Sequence, residues 1–165
     1  MITIYKFDKK KHNRKNFDCE NEQLNKYLKQ QASQDIKKDL AACFVILDEE
    51  NDDIIGYYTL SSASIPREDL PSEHSKKIPS NYNAPVILLG RLAIDKSHKG
   101  KGLGTLLLVD SMKRCLKALD YVASMAIVTD PIDDDAEKFY LKYGFKKLPT
   151  SKRLFITMST VEKSF

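Results

Sequence analysis

The 165 residues hold only three cysteines, Cys19, Cys43 and Cys115, an odd number at wide spacing. A disulfide framework needs pairs and a structural zinc site needs close ligands, so neither is indicated and reduced thiols in a cytosol are expected. No apolar run is long enough to span a bilayer, and the N-terminus lacks the apolar core of a secretory signal. A cytoplasmic protein without membrane contact is therefore expected. Two phosphate-binding signatures are also missing. No G-x-x-x-x-G-K-[ST] string occurs and no G-x-G-x-x-G follows a first strand, which excludes a mononucleotide P-loop and a dinucleotide fingerprint. Asp133, Asp134 and Asp135 lack a second acidic cluster at ligand spacing, so they are expected to cap a helix, and no metal site is expected.

What is present is organised around Val86 to Leu119, VILLGRLAIDKSHKGKGLGTLLLVDSMKRCLKAL. Val86 to Ile94 is rich in β-branched residues and leucine and is interrupted only by Gly90 and Arg91. That is the pattern of a buried central strand with a kink or bulge near the glycine. After Thr105, apolar residues recur at Leu106, Val109, Met112, Leu116 and Leu119, with Leu107 and Leu108 widening the stripe, so one helical face is buried. Between strand and helix, Gly100, Gly102 and Gly104 remove side chains where the backbone turns. Successive N–H groups at such a turn form a nest, and the positive end of the helix dipole adds to them, so a phosphorylated ligand is expected there. A glycine-rich turn that binds nothing is the alternative.

The remaining chain supplies the frame. With 42% hydrophobic residues it can build one real core, and a single domain over residues 1–165 is expected. The net charge of +4 suits an anionic partner, although a solvated surface also accounts for such an excess. Ile2 to Phe7 alternates as a first strand does, and the basic run Lys9 to Lys15 reads as a solvated turn or a nucleic-acid contact. Leu24, Tyr27, Leu28, Ala32 and Ile36 recur at helical spacing. They predict a helix over Asn21 to Leu40, N-capped by Asn21, with Lys26, Lys29, Lys37 and Lys38 on its other face. Ala41 to Leu47 and Ile54 to Ser64 read as strands joined by the acidic turn Asp48 to Asp53, with Tyr57 and Tyr58 on opposite faces. A proline-punctuated loop, Ile65 to Pro85, is long enough to be functional or to hold a short helix, and its His74 is expected to be solvated. Tyr121 to Thr129 reads as a strand, the segment from Asp133 through Tyr143 as a short helix stopped at Gly144, and Leu154 to Ser159 as the last strand. The order gives an α/β chain, a mixed sheet with helices on both faces.

The string Lys99-Gly100-Lys101-Gly102-Leu103-Gly104 resembles the acyl-CoA signature R/Q-x-x-G-x-G/A, with Lys99 where the pattern has Arg or Gln. That substitution keeps the charge and loses the planar fork. Ala136-Glu-Lys-Phe139-Tyr140-Leu-Lys-Tyr143-Gly144-Phe145 resembles the A-x-x-F-Y-x-x-x-G-F string of the same family, with Asp133 where many members have Asn. These are two motifs of the GCN5-related N-acetyltransferases (GNAT), in the family's order. A narrower resemblance runs through Phe17-Asp-Cys19, Leu24-Asn-Lys-Tyr27-Leu28, Gln34-Asp35, Gly56 to Ser61, Leu89 to Asp95 and Leu154 to Met158. It is to the acetyltransferase toxins of bacterial type II toxin-antitoxin systems. The resemblance implies a central, splayed, mostly antiparallel sheet, acetyl-CoA as donor substrate, and acetylation of the α-amino group of aminoacyl-tRNA, which stops translation. It also implies a ribbon-helix-helix antitoxin as partner, a homodimer, and Tyr140 as the catalytic tyrosine.

The chemistry sets its own requirements. An amine must attack the thioester carbonyl, a tetrahedral oxyanion must be stabilised, and the thiolate must leave with a proton. The pantetheine arm is expected along Leu92, Ala93 and Ile94, whose N–H groups are the natural oxyanion donors, with the phosphates at Lys99, Gly100, Lys101, Gly102, Leu103, Gly104 and Thr105. No His or Glu stands out as a general base. A lysine side chain titrates near ~10.4 and needs one, whereas an α-amino group sits near ~7.7 to 8.0, lower still beside an ester. The absence suits an aminoacyl ester as acceptor. The alternatives are a metabolite, polyamine or protein amine as acceptor, or a CoA- or RNA-binding module without turnover.

Overall fold

The computed structural model describes residues 2–165. Its strands are β1 (Ile4–Lys6), β2 (Ala42–Asp48), β3 (Asp53–Pro66), β4 (Asn83–Ile94), β5 (Ala126–Thr129), β6 (Lys146–Lys147) and β7 (Leu154–Thr157). They form a seven-stranded sheet in the order β1-β2-β3-β4-β5-β7-β6, mostly antiparallel, with β4 and β5 parallel. The chain divides into two compact units, Met1–Ser61 with Gly90–Ser111 and Ser62–Leu89 with Met112–Phe165.

In the first unit the acidic turn works as the spacing requires. The Asp48 carbonyl accepts the Asp52 amide at 2.9 Å, and Asp52 takes the left-handed conformation at φ 59° that a short polar residue tolerates. The β2–β3 register then skips Ile55, pairing Ile46 with Gly56 and Leu47 with Ile54. Tyr57 packs with Phe17, Tyr27, Leu28 and Val45 in a buried cluster, and its hydroxyl donates to the Leu24 carbonyl at 2.7 Å. Tyr58 faces the other way, where its hydroxyl meets Asp110 of the helix α4 (Leu103–Ala118). Both are fully buried. The two faces of β3 in this unit are thus covered by different helices.

The helix expected over Asn21 to Leu40 is three pieces: α1 (Glu22–Lys26), a π-helical turn (Tyr27–Gln31) and α2 (Ala32–Lys37). Asn21 is the N-cap, its side chain accepting the Leu24 amide at 3.0 Å. The π turn is closed by the Ala32 amide on the Tyr27 carbonyl. Apolar spacing does not distinguish this from an α-helix, because one widened turn leaves Tyr27, Leu28 and Ala32 all buried.

In the second unit β5 pairs in parallel with β4 from Val86↔Ala126 to Leu88↔Val128 and antiparallel with β7, over a core that includes Ile65, Val86, Val128 and Phe155. The proline-punctuated loop holds a 3-10 turn (Arg67–Asp69) and a short helix, α3 (Ser72–Ser75). The helix α5 (Asp134–Lys142) is N-capped by Asp133, which accepts the Ala136 amide at 2.8 Å. Three expectations fail here. The strand read from Tyr121 begins only at Ala126, and Tyr121 and Val122 are 89% and 69% exposed in a turn. The strand read to Ser159 ends at Thr157, which caps a last helix, α6 (Met158–Lys163). The short β6 was not expected, since Lys146 and Lys147 carry no strand pattern.

Candidate active site

Side chains alternate along a strand, yet β4 breaks that rule near its end. A Cβ on Gly90 would lie 3.0 Å from Thr59 Oγ1, on the face of Tyr57, and Ala93 belongs to the same buried cluster as Tyr57. Residues three apart share a face only if alternation slips by one, which is what a β-bulge does. The slip falls at Gly90 and Arg91, where the sequence placed it. Arg91 lies on the Tyr57 side, with its guanidinium carbon 3.5 Å from the centroid of the Tyr27 ring. The Tyr27 hydroxyl in turn donates to Asp35 at 2.8 Å. In the sequence this stack is marked only by a cation, Arg91, inside an otherwise apolar strand.

Beyond the bulge, the Asp95 amide donates to the Ile55 carbonyl of β3 at 2.8 Å. Main-chain groups alternate as side chains do, so Ala93 also turns toward β3, and the N–H groups of Leu92 and Ile94 turn to the opposite edge. Of the three residues proposed to meet the cofactor arm, two therefore offer donors on that edge.

Asp95 anchors the strand exit. It is buried, and its carboxylate accepts the Asp18 amide at 2.9 Å, the Ser97 amide at 3.0 Å and the Ser97 hydroxyl. Burial pushes its pKa up, but these hydrogen bonds outweigh burial and the net shift is down. A 3-10 turn (Lys96–His98) follows, and then the glycine loop. Gly100 and Gly102 both have φ of 78°, in the left-handed region, and among the described residues no atom beyond the chain neighbours lies within 4 Å of where a Cβ would stand on either. Their glycines serve backbone conformation and leave the space beside the loop empty of protein. Leu103 is buried and roots the loop in the core, while Gly104 and Thr105 form the first turn of α4. The Leu106 amide bonds to the Gly102 carbonyl at 3.1 Å, so the loop runs directly into the first turn of the helix. Lys101 is exposed. Lys99 is held, its ammonium donating to the Cys19 carbonyl at 3.2 Å and Glu20 at 3.3 Å. The residue at the Arg or Gln position thus spends part of its charge on the protein.

Tyr140 lies on α5 in the second unit and is 5% exposed. Its ring sits 5.3 Å from Phe139 and 5.2 Å from Phe145. Phe145 is brought back by its amide bond to the Tyr140 carbonyl after Gly144, whose φ of 97° ends the helix. Burial pushes the phenol up to about 12, partly offset by the Thr129 hydroxyl. The group stays protonated across the physiological range.

Other candidates are structural. The three cysteines are free and buried, and burial pushes Cys43 and Cys115 up to about 12. His74, expected to be solvated, instead packs its ring edge on Phe155 at 5.8 Å beside Glu73. Asp133 caps α5, as the sequence suggested for the acidic triplet.

The chain is similar to known proteins over most of its length. The acetyltransferase (GNAT) family model matches residues 9–145. A tRNA-acetylating toxin of Mycobacterium tuberculosis is 35% identical over 127 residues, covering 77% of this chain and 74% of that protein. The crystal structure of a tyrosine-to-phenylalanine mutant of KacT superposes with a TM-score of 0.93 at 31% identity, covering 99% of each chain. AtaT complexed with acetyl-methionyl-tRNAfMet gives 0.91 at 29% identity over 100% of this chain and 99% of that one. With a strand, glycine loop and helix that carry the family's motifs in place, the chain belongs to the GNAT acetyltransferases.

Proposed function

We propose that the chain transfers the acetyl group of acetyl-CoA to the α-amino group of an aminoacyl-tRNA and so acts as a toxin on translation. The observation that carries the reading is the left-handed Gly100 and Gly102 pair between a bulged strand and the N-terminus of α4, with open space beside both glycines. The diphosphate of acetyl-CoA takes the loop amides and the positive end of the helix dipole. The pantetheine arm runs along β4, and the thioester oxygen, as it becomes an oxyanion, draws on the N–H groups of Leu92 and Ile94. Lys99 and Lys101 add charge around the phosphates.

In the transfer the acceptor nitrogen bonds to the acyl carbon, the carbon–sulfur bond breaks, and one proton passes from nitrogen to sulfur. Tyr140 supplies the proton to sulfur and recovers one from the newly cationic nitrogen. Coupling is needed, because burial makes this phenol a far weaker acid than a thiol and an uncoupled transfer runs uphill. No strong base is called for when the acceptor is an aminoacyl ester, whose amine is largely neutral at cell pH. The whole chain, residues 1–165, works as one catalytic domain in the cytoplasm, as a homodimer held in check by a ribbon-helix-helix antitoxin. The toxin resemblance supports that assembly.

Radiolabelled acetyl transfer to extracted charged tRNA, set beside uncharged tRNA and polyamines, tests the acceptor. Label is expected only on charged tRNA, in a form released with the amino acid by mild alkali. Label on polyamines alone would make this a metabolite acetyltransferase, and acetyl-CoA binding without transfer would make it a non-catalytic module.

A further inference from the structure

The basic run after β1 does not behave as one unit. The Arg14 guanidinium donates to the Leu28 carbonyl at 3.2 Å and lies over the Phe7 ring, so it is spent on the fold. Lys9, Lys10 and Lys11 instead line a groove of about 1070 Å³, joined by Lys6 from β1 and Lys37 from α2. We infer that this groove docks the phosphodiester backbone of the tRNA, as a second contact apart from the acetyl-CoA loop; the inference rests on the aminoacyl-tRNA reading above.

Three observations carry it. First, the lining holds five ammonium groups against two carboxylates, Asp8 and Asp52, and Asp8 already accepts the Lys10 amide at 2.9 Å. Among the described residues none of the five lysines forms an ion pair, so their charge is available to a polyanion. Second, an aromatic row runs through the groove. Tyr5 is 40% exposed with its ring 5.9 Å from that of His12, and His12 stacks on Phe7 at 6.2 Å. His12 is fixed by accepting the Asp8 amide on Nδ1 at 3.0 Å. Cations beside one exposed tyrosine, backed by the buried His12 and Phe7 rings, suit a nucleic-acid strand, which offers phosphates and bases together. An acidic peptide would use the cations and leave the aromatic face idle. Third, β1 lies three strands from β4 in the sheet, and at ~4.8 Å per strand the groove stands about 14 Å from the cofactor strand. A ligand engaged at both places must be extended, as a tRNA is and a small amine is not.

The test uses the full chain and unacylated tRNA as probe, so that binding is read without chemistry. The triple variant Lys9→Gln, Lys10→Gln, Lys11→Gln is titrated across low to moderate salt beside the wild type. Each phosphate contact contributes about 0.9 to the slope of log K against log salt, so the slope is expected to shrink by about 2 to 3. Affinity at moderate salt should fall at least about tenfold, with acetyl-CoA affinity unchanged. Tyr5→Leu should weaken binding about fivefold or more and leave the slope alone, because stacking releases no ions. Lys76→Gln with Lys77→Gln, in the loop before β4, should change neither. All these positions are exposed, and a thermal melt checks that each variant is folded. An unchanged slope in the triple variant, while the wild type acetylates charged tRNA, overturns the groove and spares the proposed function. A wild type that neither binds tRNA nor acetylates it overturns both. A triple variant that loses an acidic protein partner and keeps its tRNA affinity reassigns the groove and also overturns the inference.

Discussion

The glycine loop and the Tyr140 pocket each hold a polar group ready, and they do so with opposite materials. The loop works through its main chain: two left-handed glycines, the start of a helix, and a buried Asp95 tying the strand exit to the Asp18 and Ser97 amides. The pocket works through side chains, a phenol 5% exposed between Phe139 and Phe145. The loop should therefore tolerate changes of side-chain chemistry and resist changes of backbone conformation, and the pocket should do the reverse.

The largest effect is expected at the pocket. Tyr140→Phe removes one oxygen and keeps the ring that packs on its neighbours. If the phenol protonates the departing sulfur, only a transition-state interaction is lost, and general acid catalysis is typically worth ~10² to 10⁴-fold. A fall in kcat of about a hundredfold or more is expected, with acetyl-CoA affinity and melting temperature near those of the wild type and no growth arrest on expression. Near-normal turnover in a folded variant would reject Tyr140 as the acid.

The loop should break in a different constant. Gly102→Ala places a Cβ in space that is open in the protein, so any cost comes from φ of 78°, roughly 1 to 2 kcal/mol for an L-residue. Calorimetry should show acetyl-CoA binding weakened by about tenfold, with kcat at saturation little changed. Gly102→Glu adds a like charge beside the phosphates and should weaken binding further. Unchanged affinity in a folded Gly102→Glu protein would remove the diphosphate from this loop.

That contrast also explains what could be read from the sequence. The loop was legible because its parts are contiguous and its requirement, residues without side chains before a helix, is written in residue type. Even the bulge at Gly90 and Arg91 was visible as a break in an apolar run. The capping roles of Asn21 and Asp133 were equally local. What escaped depends on distant partners. The π turn at Tyr27 to Gln31 follows from burying neighbours on one helix face, and no periodicity marks it. Tyr121 and Val122 look like strand and stand exposed in a turn, because β7 offers partners only from Ala126 onward. The basic run reads as a solvated turn or a nucleic-acid contact, and the groove itself forms only when Lys6, Lys37 and Tyr5 are brought beside it.

Between pocket and loop in size stands the clamp beneath the loop. Asp95→Ala leaves the Asp18 and Ser97 amides without their acceptor, and an unmet buried hydrogen bond costs about 1 to 3 kcal/mol. Urea unfolding should show a loss in that range, with acetyl-CoA binding weakened alongside it. The pH dependence has a definite sign. The folded pKa of Asp95 is depressed, so its contribution is present above the ordinary carboxylate value of ~3.9 and is lost as pH falls through the folded value. The variant and the wild type should therefore converge in stability toward strongly acid pH. A gap that stays constant down to the acid limit would mean that the carboxylate's charge is not what the amides need.

The smallest effect separates the pocket from an ordinary exposed tyrosine. A free phenol titrates near ~10 and would begin to lose its proton, and its use as an acid, well below that. Burial holds Tyr140 up at about 12, so the protonated form persists through mildly alkaline conditions. The acceptor amine moves the other way, gaining neutral form as pH rises through its own range, which the ester holds below the ~8 of an ordinary α-amino group. Under saturating substrates kcat should then rise to a plateau and hold it up to pH of about 10, with no falling limb from the tyrosine. The aminoacyl ester hydrolyses in alkali, so the profile has to come from single-turnover bursts faster than that loss. A limb falling at a pH near ~9 in the wild type, and absent from the residual activity of Tyr140→Phe, would show a phenol far less shielded than its surroundings imply, and the side-chain pocket would no longer differ from the open loop in how it keeps its proton.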